Sequence, residues 1–282
     1  MTKDRALEKP PGNVPAASQC VRGDVARRLL WCIIGLVITV VARADEPNGL
    51  VTVRTGSLPV ILSSGHGGTQ PIPDVPVRMR TETPKFQTVR DERTAELTEK
   101  IAAALTEQLG QKPYVVILRA ERKYVDVNRP AEHAFESDLA KPVYEAFHNA
   151  LRHGCDEIRE KWKHGLLIDV HGQTVEDAAL FRGTVNLETV TALRQRMGPH
   201  AYQQLDRALE KNGFRVMPPG DERETRFTGG HIVRAYGSHQ PQGIDAVQWE
   251  FGSDLRQKEV LDLTARDAGK ALAEFVRANY LR

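Results

Sequence analysis

The sequence predicts an α/β fold, a three-layer sandwich in which helices cover both faces of a mostly parallel, mixed central sheet. Two observations predict it. Short apolar runs that suit buried strands alternate with longer segments whose apolar residues recur at helical spacing. Neither an internal repeat nor a low-complexity stretch interrupts this alternation after Asp45. Strands that alternate with helices typically form parallel sheets flanked by helices.

Four apolar runs are predicted to form the strands of this sheet. They are residues 58–63, 114–118, 166–170 and 246–249. The first three are rich in valine, isoleucine and leucine, as strands buried on both faces are. Ligands of open α/β sheets bind outside the carboxyl ends of the strands. Residues at the ends of these runs are therefore the first candidates for a functional site.

Three helices are predicted between and after the strands. The first has an apolar residue at every fourth position from Leu97 to Leu109, and Gly110 follows as a stop signal. Apolar residues at helical spacing between 143 and 162 predict the second helix. A similar pattern between 261 and 275 predicts the third, which ends the fold.

The first 44 residues have the pattern of a secretory signal peptide. An apolar run at 29–42 follows two arginines, and a small-x-small sequence ends at Ala44. A basic flank, an apolar stretch of about 7–15 residues and such a site direct export and cleavage. A retained anchor is the alternative, although the run is shorter than the roughly 20 residues that span a bilayer. We expect an exported protein, periplasmic or secreted, with residues 1–44 as its leader and 45–282 as one domain.

The charge balance bears on which macromolecules the protein binds, and the cysteine content on whether it forms disulfide bonds. Residues 1–44 hold seven of the 39 basic and three of the 37 acidic residues, which leaves 32 and 34 for the remainder. A near-neutral domain does not indicate nucleic-acid binding. Contact with a membrane is expected only through an uncleaved leader. Cys155 is alone once the leader is removed, so no intramolecular disulfide is expected.

Two histidines and a glutamate stand at the ends of predicted strands. His66 lies three residues after the first strand, His171 directly follows the third, and Glu250 ends the fourth. Each alone is typical of an ordinary loop, but three at matching positions predict a shared site. Imidazole and carboxylate groups are the usual ligands of catalytic zinc, and a further carboxylate can act as general base. We therefore expect a Zn²⁺ cofactor held by the two histidines.

The third metal ligand is open between two neighbouring acids. Asp91 and Glu92 both precede the first helix, after the long loop that follows His66. Asp91 is equally placed to cap that helix, with Thr94 nearby. Asp169, two residues before His171, is suited to hold the second nitrogen of a histidine ligand, or is buried in another pairing.

A charged segment follows the second strand. Residues 119–130 contain three arginines, a lysine, two acids and an asparagine, including Arg122, Asn128 and Arg129. Arginine presents a planar fork that binds a carboxylate through two hydrogen bonds. The segment predicts a clamp for a carboxylate substrate, either a small molecule or a peptide-like one. A solvated cluster that pairs with itself is the alternative.

Five short motifs follow one another in a fixed order. They are His66-Gly67-Gly68, Asp126-Val127-Asn128-Arg129, Asp169-Val170-His171-Gly172, Gly229-Gly230-His231-Ile232 and Gln248-Trp249-Glu250. Their order resembles that of N-formylglutamate amidohydrolases, over roughly residues 58–256. That family is similar in fold to the zinc carboxypeptidases and the aspartoacylase group, a phosphorylase/hydrolase-like sandwich.

The resemblance implies a role for each candidate residue. It implies zinc-dependent hydrolysis of the amide bond of an N-acyl amino acid, with Glu250 as general base. His66 and His171 are the implied ligands. Asn128 and Arg129, with Arg122 beside them, are the implied grip on the substrate carboxylate.

Two features depart from the related enzymes. Thr69 stands where carboxypeptidase-type sites have a glutamate three residues after the first histidine. Asp91 is expected instead, because its spacing to Thr94 and Leu97 matches the family's helix opening, and Glu92 is the alternative. Export is the second departure, since free formylglutamate is a cytoplasmic catabolite. It leaves open an exported amidase acting on peptidoglycan or poly-glutamate amides, or a non-catalytic binding protein on the same fold.

Overall fold

A seven-stranded mixed sheet forms the centre of the molecule in the computed structural model, which describes residues 49–80, 82 and 85–281. The strands are β1 (Val51–Arg54), β2 (Val60–Ser64), β3 (Tyr114–Leu118), β4 (Leu166–Gly172), β5 (Ala179–Gly183), β6 (Arg215–Met217) and β7 (Asp245–Phe251). Their order across the sheet is β1-β3-β2-β4-β7-β5-β6. The central strands β3, β2, β4 and β7 are parallel, whereas β1 is antiparallel to β3 and β5 to β7. The prediction of a mostly parallel, mixed sheet is confirmed.

Helices cover both faces of the sheet. They are α1 (Thr94–Leu109), α2 (Ala131–Ala134), α3 (Lys141–Trp162), α4 (Thr191–Met197), α5 (Gln203–Lys211), α6 (His231–Tyr236) and α7 (Leu261–Asn279). One apolar core joins α1, α5 and α7 to one face, and a second core joins α3 and α6 to the other. The predicted three-layer sandwich is therefore confirmed.

Alternation along β4 decides which face carries the polar residues of the site. Leu166, Ile168 and Val170 belong to the core beneath α1 and α7, and Leu167 belongs to the core beneath α3. Because successive side chains of a strand point to opposite faces, those of 169 and 171 project toward the α3 side.

The four predicted strands and three predicted helices are all present, with shifted ends. β3 has the predicted bounds, whereas β2 runs from 60 to 64 instead of from 58 to 63. β4 continues to Gly172, so His171 lies inside the strand and not after it. In the register of the parallel pair β4–β7, His171 lies directly opposite Glu250. Gly110 ends α1 in the left-handed conformation, φ 69°, as its stop signal predicts.

Residues from Gly49 onward lie in one compact unit. Within the part of the chain that the structure describes, no helix has the length and apolar character needed to cross a membrane. The predicted signal peptide at 1–44 lies outside the described residues.

Candidate metal centre

The two predicted histidine ligands meet at the carboxyl edge of the sheet. His66 follows β2 by two residues, and His171 is the penultimate residue of β4. Both are buried, and their ring centroids are 4.6 Å apart. Gly67 lets the loop after His66 pack against α1, because any side chain there would overlap the first turn of that helix at Ala95.

Asp91 completes a cluster with the two imidazoles. Its Oδ2 atom lies 3.3 Å from His66 Nδ1 and 3.1 Å from His171 Nδ1. One nitrogen from each histidine and one oxygen of Asp91 all lie within 4.8 Å of one another. The Asp91 side chain therefore faces the histidines and does not cap α1. Thr94 bonds instead to the Asp91 backbone carbonyl, at 2.9 Å.

Glu92, the alternative third ligand, lies outside this cluster. Its side chain is 63% exposed and lies near Arg90 and Arg93. Among the two acids that precede α1, the geometry therefore favours Asp91 as the metal ligand.

A carboxylate holds the far nitrogen of each imidazole. Asp126 Oδ1 lies 2.7 Å from His66 Nε2, and Asp169 Oδ2 lies 2.7 Å from His171 Nε2. Ser63 donates to the other oxygen of Asp169, at 2.7 Å. Because an ionised carboxylate only accepts hydrogen bonds, each Nε2 carries the proton, and a neutral ring then presents its Nδ1 lone pair to the cluster.

Burial and opposite charge work against each other in the cluster. Burial raises the pKa of Asp91, but the two imidazoles outweigh it and hold that pKa well below its usual range. Burial likewise raises the pKa of Asp126, and His66 and Arg122 hold it well below the ordinary value. Burial lowers the pKa of His171, yet Asp169 and Asp91 raise it well above normal. A metal bound at His171 would thus displace a proton.

The donor set fits Zn²⁺. Two imidazole nitrogens and one carboxylate oxygen converge, the imidazoles are oriented by carboxylates behind them, and the cluster borders a cavity. Catalytic zinc takes three such protein ligands and leaves one position for water or substrate. His66, Asp91 and His171 are the residues that would hold the ion.

Glu250 lies beside His171 on the neighbouring strand. The two residues are direct partners in the β4–β7 register, so their side chains share a face of the sheet. Glu250 is 8% exposed, and burial raises its pKa to about 7 against the opposing charge of His171. Gln248 Nε2 donates to Glu250 Oε1 at 2.6 Å, and Gln248 Oε1 accepts from the backbone N–H of Gly230 at 2.7 Å.

The cluster opens into a cavity of about 480 Å³, and most of the charged residues that line it are basic. Its basic lining residues are Lys85, Arg90, Arg122, Arg129, Arg226 and Arg256, against the two acids Asp91 and Glu250. Arg256 donates to three backbone carbonyls and so holds the surrounding loops together. The remaining excess of positive charge suits an anionic ligand.

The three predicted substrate-binding residues all line this cavity. Arg129 donates to the carbonyls of Asn128 and Lys85, both at 2.8 Å. Asn128 Oδ1 accepts from the Ile232 N–H at 2.9 Å. Arg122 is bonded to the carboxylate of Asp126 at 3.0 Å. Their contact with a substrate stays a prediction. Arg122 lines the cavity and also pairs with Asp126, so its position suits either carboxylate, that of Asp126 or that of a ligand.

Two residues of the site received no role from the sequence, Asp126 and Gln248. Both belong to quoted motifs, Asp126-Val127-Asn128-Arg129 and Gln248-Trp249-Glu250. The period of two along a strand, which places 248 on the same face as 250, is the signal that points to Gln248. The pairing of Asp126 with His66 spans 60 residues of chain and has no local signal.

At its carboxyl edge the mixed sheet thus brings together a His–Asp–His cluster that could hold a metal and the buried carboxylate of Glu250. A model of the N-formylglutamate amidohydrolase family matches residues 134–256. The resemblance to that family is confirmed over this segment, which contains His171 and Glu250. His66, Asp91 and Arg129 lie outside it, so their place in the site rests on geometry.

Two solved structures share the fold. The N-formylglutamate amidohydrolase from Ralstonia eutropha JMP134 is 14% identical, with a TM-score of 0.60 over 81% of this chain and 97% of that one. The gene product Atu2144 from Agrobacterium tumefaciens is also 14% identical, with a TM-score of 0.56 over 81% of this chain and 95% of its own. No curated protein sequence matches the chain.

Proposed function

We propose that this protein is a zinc-dependent amidohydrolase that cleaves the amide bond of an N-acyl amino acid of the N-formylglutamate type. The observation that carries the proposal is the convergence of His66 Nδ1, His171 Nδ1 and Asp91 Oδ2 beside the buried carboxylate of Glu250. Capture of a ligand needs no buried base next to metal donors, so this arrangement supports hydrolysis over simple binding. The family match supports amides as the bond attacked.

When bound by His66, Asp91 and His171, zinc supplies a Lewis acid that polarises the scissile carbonyl and lowers the pKa of water toward about 7. The protein's own part is to keep the imidazoles oriented. Asp126 and Asp169 do this through the two Nε2 hydrogen bonds.

Glu250 is the proposed proton carrier. It accepts the proton of the attacking water and returns it to the nitrogen of the leaving amine. A pKa raised by burial to about 7 suits both steps, because the group then gains and loses a proton at little cost near neutral pH.

Arg129 is the proposed anchor for the substrate carboxylate, with Asn128 and Arg122 beside it. Its guanidinium lines the cavity, and the carbonyls of Asn128 and Lys85 fix its position. A carboxylate held there orients the amide bond toward the metal position. Because the reacting groups are then already in place, the activation free energy of hydrolysis is lower. The leader-like sequence of residues 1–44 supports the further proposal that the enzyme is exported.

The test is a hydrolysis screen of the zinc-loaded protein against N-formyl, N-acetyl and γ-glutamyl derivatives of amino acids. Glu250→Gln is expected to retain zinc and lose roughly 10²–10⁴-fold in kcat, the usual contribution of a general base. Glu92→Gln, an exposed acid one residue from the cluster, is the matched control and is expected to keep full activity. Zinc-bound protein that hydrolyses none of these amides overturns the proposed reaction, and full activity in Glu250→Gln overturns the general-base assignment.

A further inference from the structure

Gln248 is a buried amide that bonds at both ends. It lies on β7, two residues before Glu250 and on the same face, and is 5% exposed. Its Nε2 donates to Glu250 Oε1 at 2.6 Å, and its Oε1 accepts from Gly230 N–H at 2.7 Å. The mechanism proposed above uses Glu250 but gives Gln248 no part.

The orientation of this amide is fixed by chemistry. A backbone N–H can only donate, so the oxygen of Gln248 must face Gly230 and the NH₂ group must face Glu250. The reversed amide would set N–H against N–H and oxygen against carboxylate. Gln248 therefore always presents a donor to one oxygen of Glu250, and the other oxygen is left for water and the leaving amine.

Gly230, the support for this amide, is itself held in place. A side chain at Gly230 would overlap the amide of Asn128, and Asn128 Oδ1 accepts from the backbone N–H of Ile232. These contacts fix the turn before α6 against the segment that carries Asn128. A continuous series of contacts runs from Asn128 through Gly230 and Gln248 to Glu250.

We propose that Gln248 is a positioning residue that holds the carboxylate of Glu250 in its working orientation by donating to Oε1. This inference rests on the proposed hydrolytic function. The hydrogen bond restricts the rotamers of Glu250 and fixes which oxygen handles the proton. Displacement of a reacting group by about 1 Å can cost about 100-fold in rate.

Two substitutions separate this role from simple bracing of the Gly230 turn. Gln248→Glu keeps the acceptor for Gly230 N–H and, once ionised, has no donor for Glu250. Because neighbouring buried carboxylates raise each other's pKa, its kcat is followed from about pH 7 to about pH 10. Gln248→Met keeps the length and loses both bonds. Gln204→Glu on α5, whose acceptor for Asn279 is likewise retained, is the control for an added charge.

We expect both Gln248 variants to lose about 100-fold in kcat on whichever N-acyl amino acid the wild-type protein hydrolyses. The values of KM, zinc content and thermal unfolding midpoint should stay close to wild type, and Gln204→Glu should be unchanged throughout. A crystal structure of Gln248→Met is expected to show the carboxylate of Glu250 displaced by about 1 Å or more.

The outcomes that overturn the inference differ from those that overturn the function. If Gln248→Glu keeps the wild-type kcat while Gln248→Met loses activity, Gln248 acts only by holding the backbone N–H of Gly230, and the inference is wrong. Wild-type kcat in both variants removes any role, as does an unmoved Glu250 in the Gln248→Met structure. A wild-type protein that binds zinc but hydrolyses no amide overturns the function, and the inference falls with it.

Discussion

At the residue scale, the site depends on which nitrogen of each histidine is left for a metal. In both histidines Nε2 is hydrogen-bonded to a buried carboxylate, so Nδ1 faces the cluster. The carboxylates come from different places in the fold, Asp169 from β4 itself and Asp126 from the segment after β3. Second partners of this kind fix the ring orientation and raise the basicity of the ligand.

Asp126→Asn is therefore expected to weaken zinc binding by about 10–100-fold, the usual cost of losing such a partner. The amide keeps the size of the side chain but no longer provides the charge that orients His66. Titration of the metal-free protein with zinc against a competing chelator measures the change. Glu121→Gln in the same segment, where the acid pairs with Lys123, is the control. Equal zinc affinity in Asp126→Asn and wild type would contradict the role of Asp126.

Sequence reasoning at this scale found the residues that stand at strand ends. His66, His171 and Glu250 carry a positional signal, because every parallel strand delivers its carboxyl end to one edge of the sheet. The residues alone did not separate Asp91 from Glu92, since neighbouring residues in a loop have no fixed direction, and only the family resemblance favoured Asp91. The structure separates them by exposure, with Glu92 at 63% and Asp91 at 11%.

At the element scale, α3 supports the segment that carries Asn128 and Arg129. Tyr144 donates to the carbonyl of Arg129 at 3.0 Å, and His148 Nε2 lies 3.0 Å from the carbonyl of Val127. The two side chains are one helical turn apart and face the same way. The helix thus fixes the backbone on both sides of Asn128.

His148 makes this support sensitive to pH. Burial and the neighbouring His231 lower its pKa from 6.5 to about 4, so the folded protein keeps the ring neutral. A lowered histidine pKa contributes stability that is full above pH 6.5 and is lost as the pH falls toward 4, by at most about 3 kcal/mol. His148→Gln is expected to remove that loss.

Chemical denaturation between pH 7 and 4.5 measures the effect as a change in the free energy of unfolding. His153→Gln, an exposed histidine on the same helix, is expected to follow the wild-type pH dependence. If the free energy of unfolding of His148→Gln falls with pH as steeply as that of the wild type, a group other than His148 causes the loss.

Close packing of α1 on α7 is a second feature of this scale. A Cβ at Gly269 would lie 2.6 Å from the Cβ of Ala104. Alanine in place of glycine usually favours a helix by about 1 kcal/mol. Here the clash should outweigh that gain, and Gly269→Ala is expected to destabilise the protein by about 1–3 kcal/mol. Thermal or urea unfolding measures it, and adding Ala104→Gly should restore much of the loss. A Gly269→Ala protein as stable as wild type would contradict the packing.

The predicted elements are those with a continuous apolar pattern, and several shorter or interrupted elements were not predicted. β5 was missed because Arg182 interrupts its apolar run, although this arginine is buried and pairs with Asp206 and Glu224. Such a pair is recognisable only when the fold brings distant residues together. β6 has three residues and α6 has six, which are too few for a period to show.

At the scale of the whole molecule, a near-neutral chain concentrates positive charge around one cavity. The sequence shows the net charge of +2 but not where the charges gather. Clefts lined by one sign of charge attract ligands of the other, and salt screens that attraction.

The value of KM for an N-acyl amino acid is therefore expected to rise several-fold, on the order of 3–10-fold, between about 0.05 and 0.5 M NaCl. Arg226→Gln, at an exposed position of the cavity lining, should raise KM at low salt and reduce its salt dependence. Arg207→Gln on α5 is the control. Steady-state kinetics at several salt concentrations measure this, and a KM independent of salt would contradict electrostatic attraction of the substrate.

The central claim is that His66, Asp91 and His171 hold one zinc ion. Elemental analysis of the full-length protein after zinc loading and exhaustive dialysis tests it most directly, with His66→Ala/His171→Ala for comparison. We predict about one zinc per wild-type chain and less than about a tenth of that in the double variant, because three-ligand sites fail when two ligands are lost. Equal zinc content in the two proteins, or no retained zinc in the wild type, would contradict the claim.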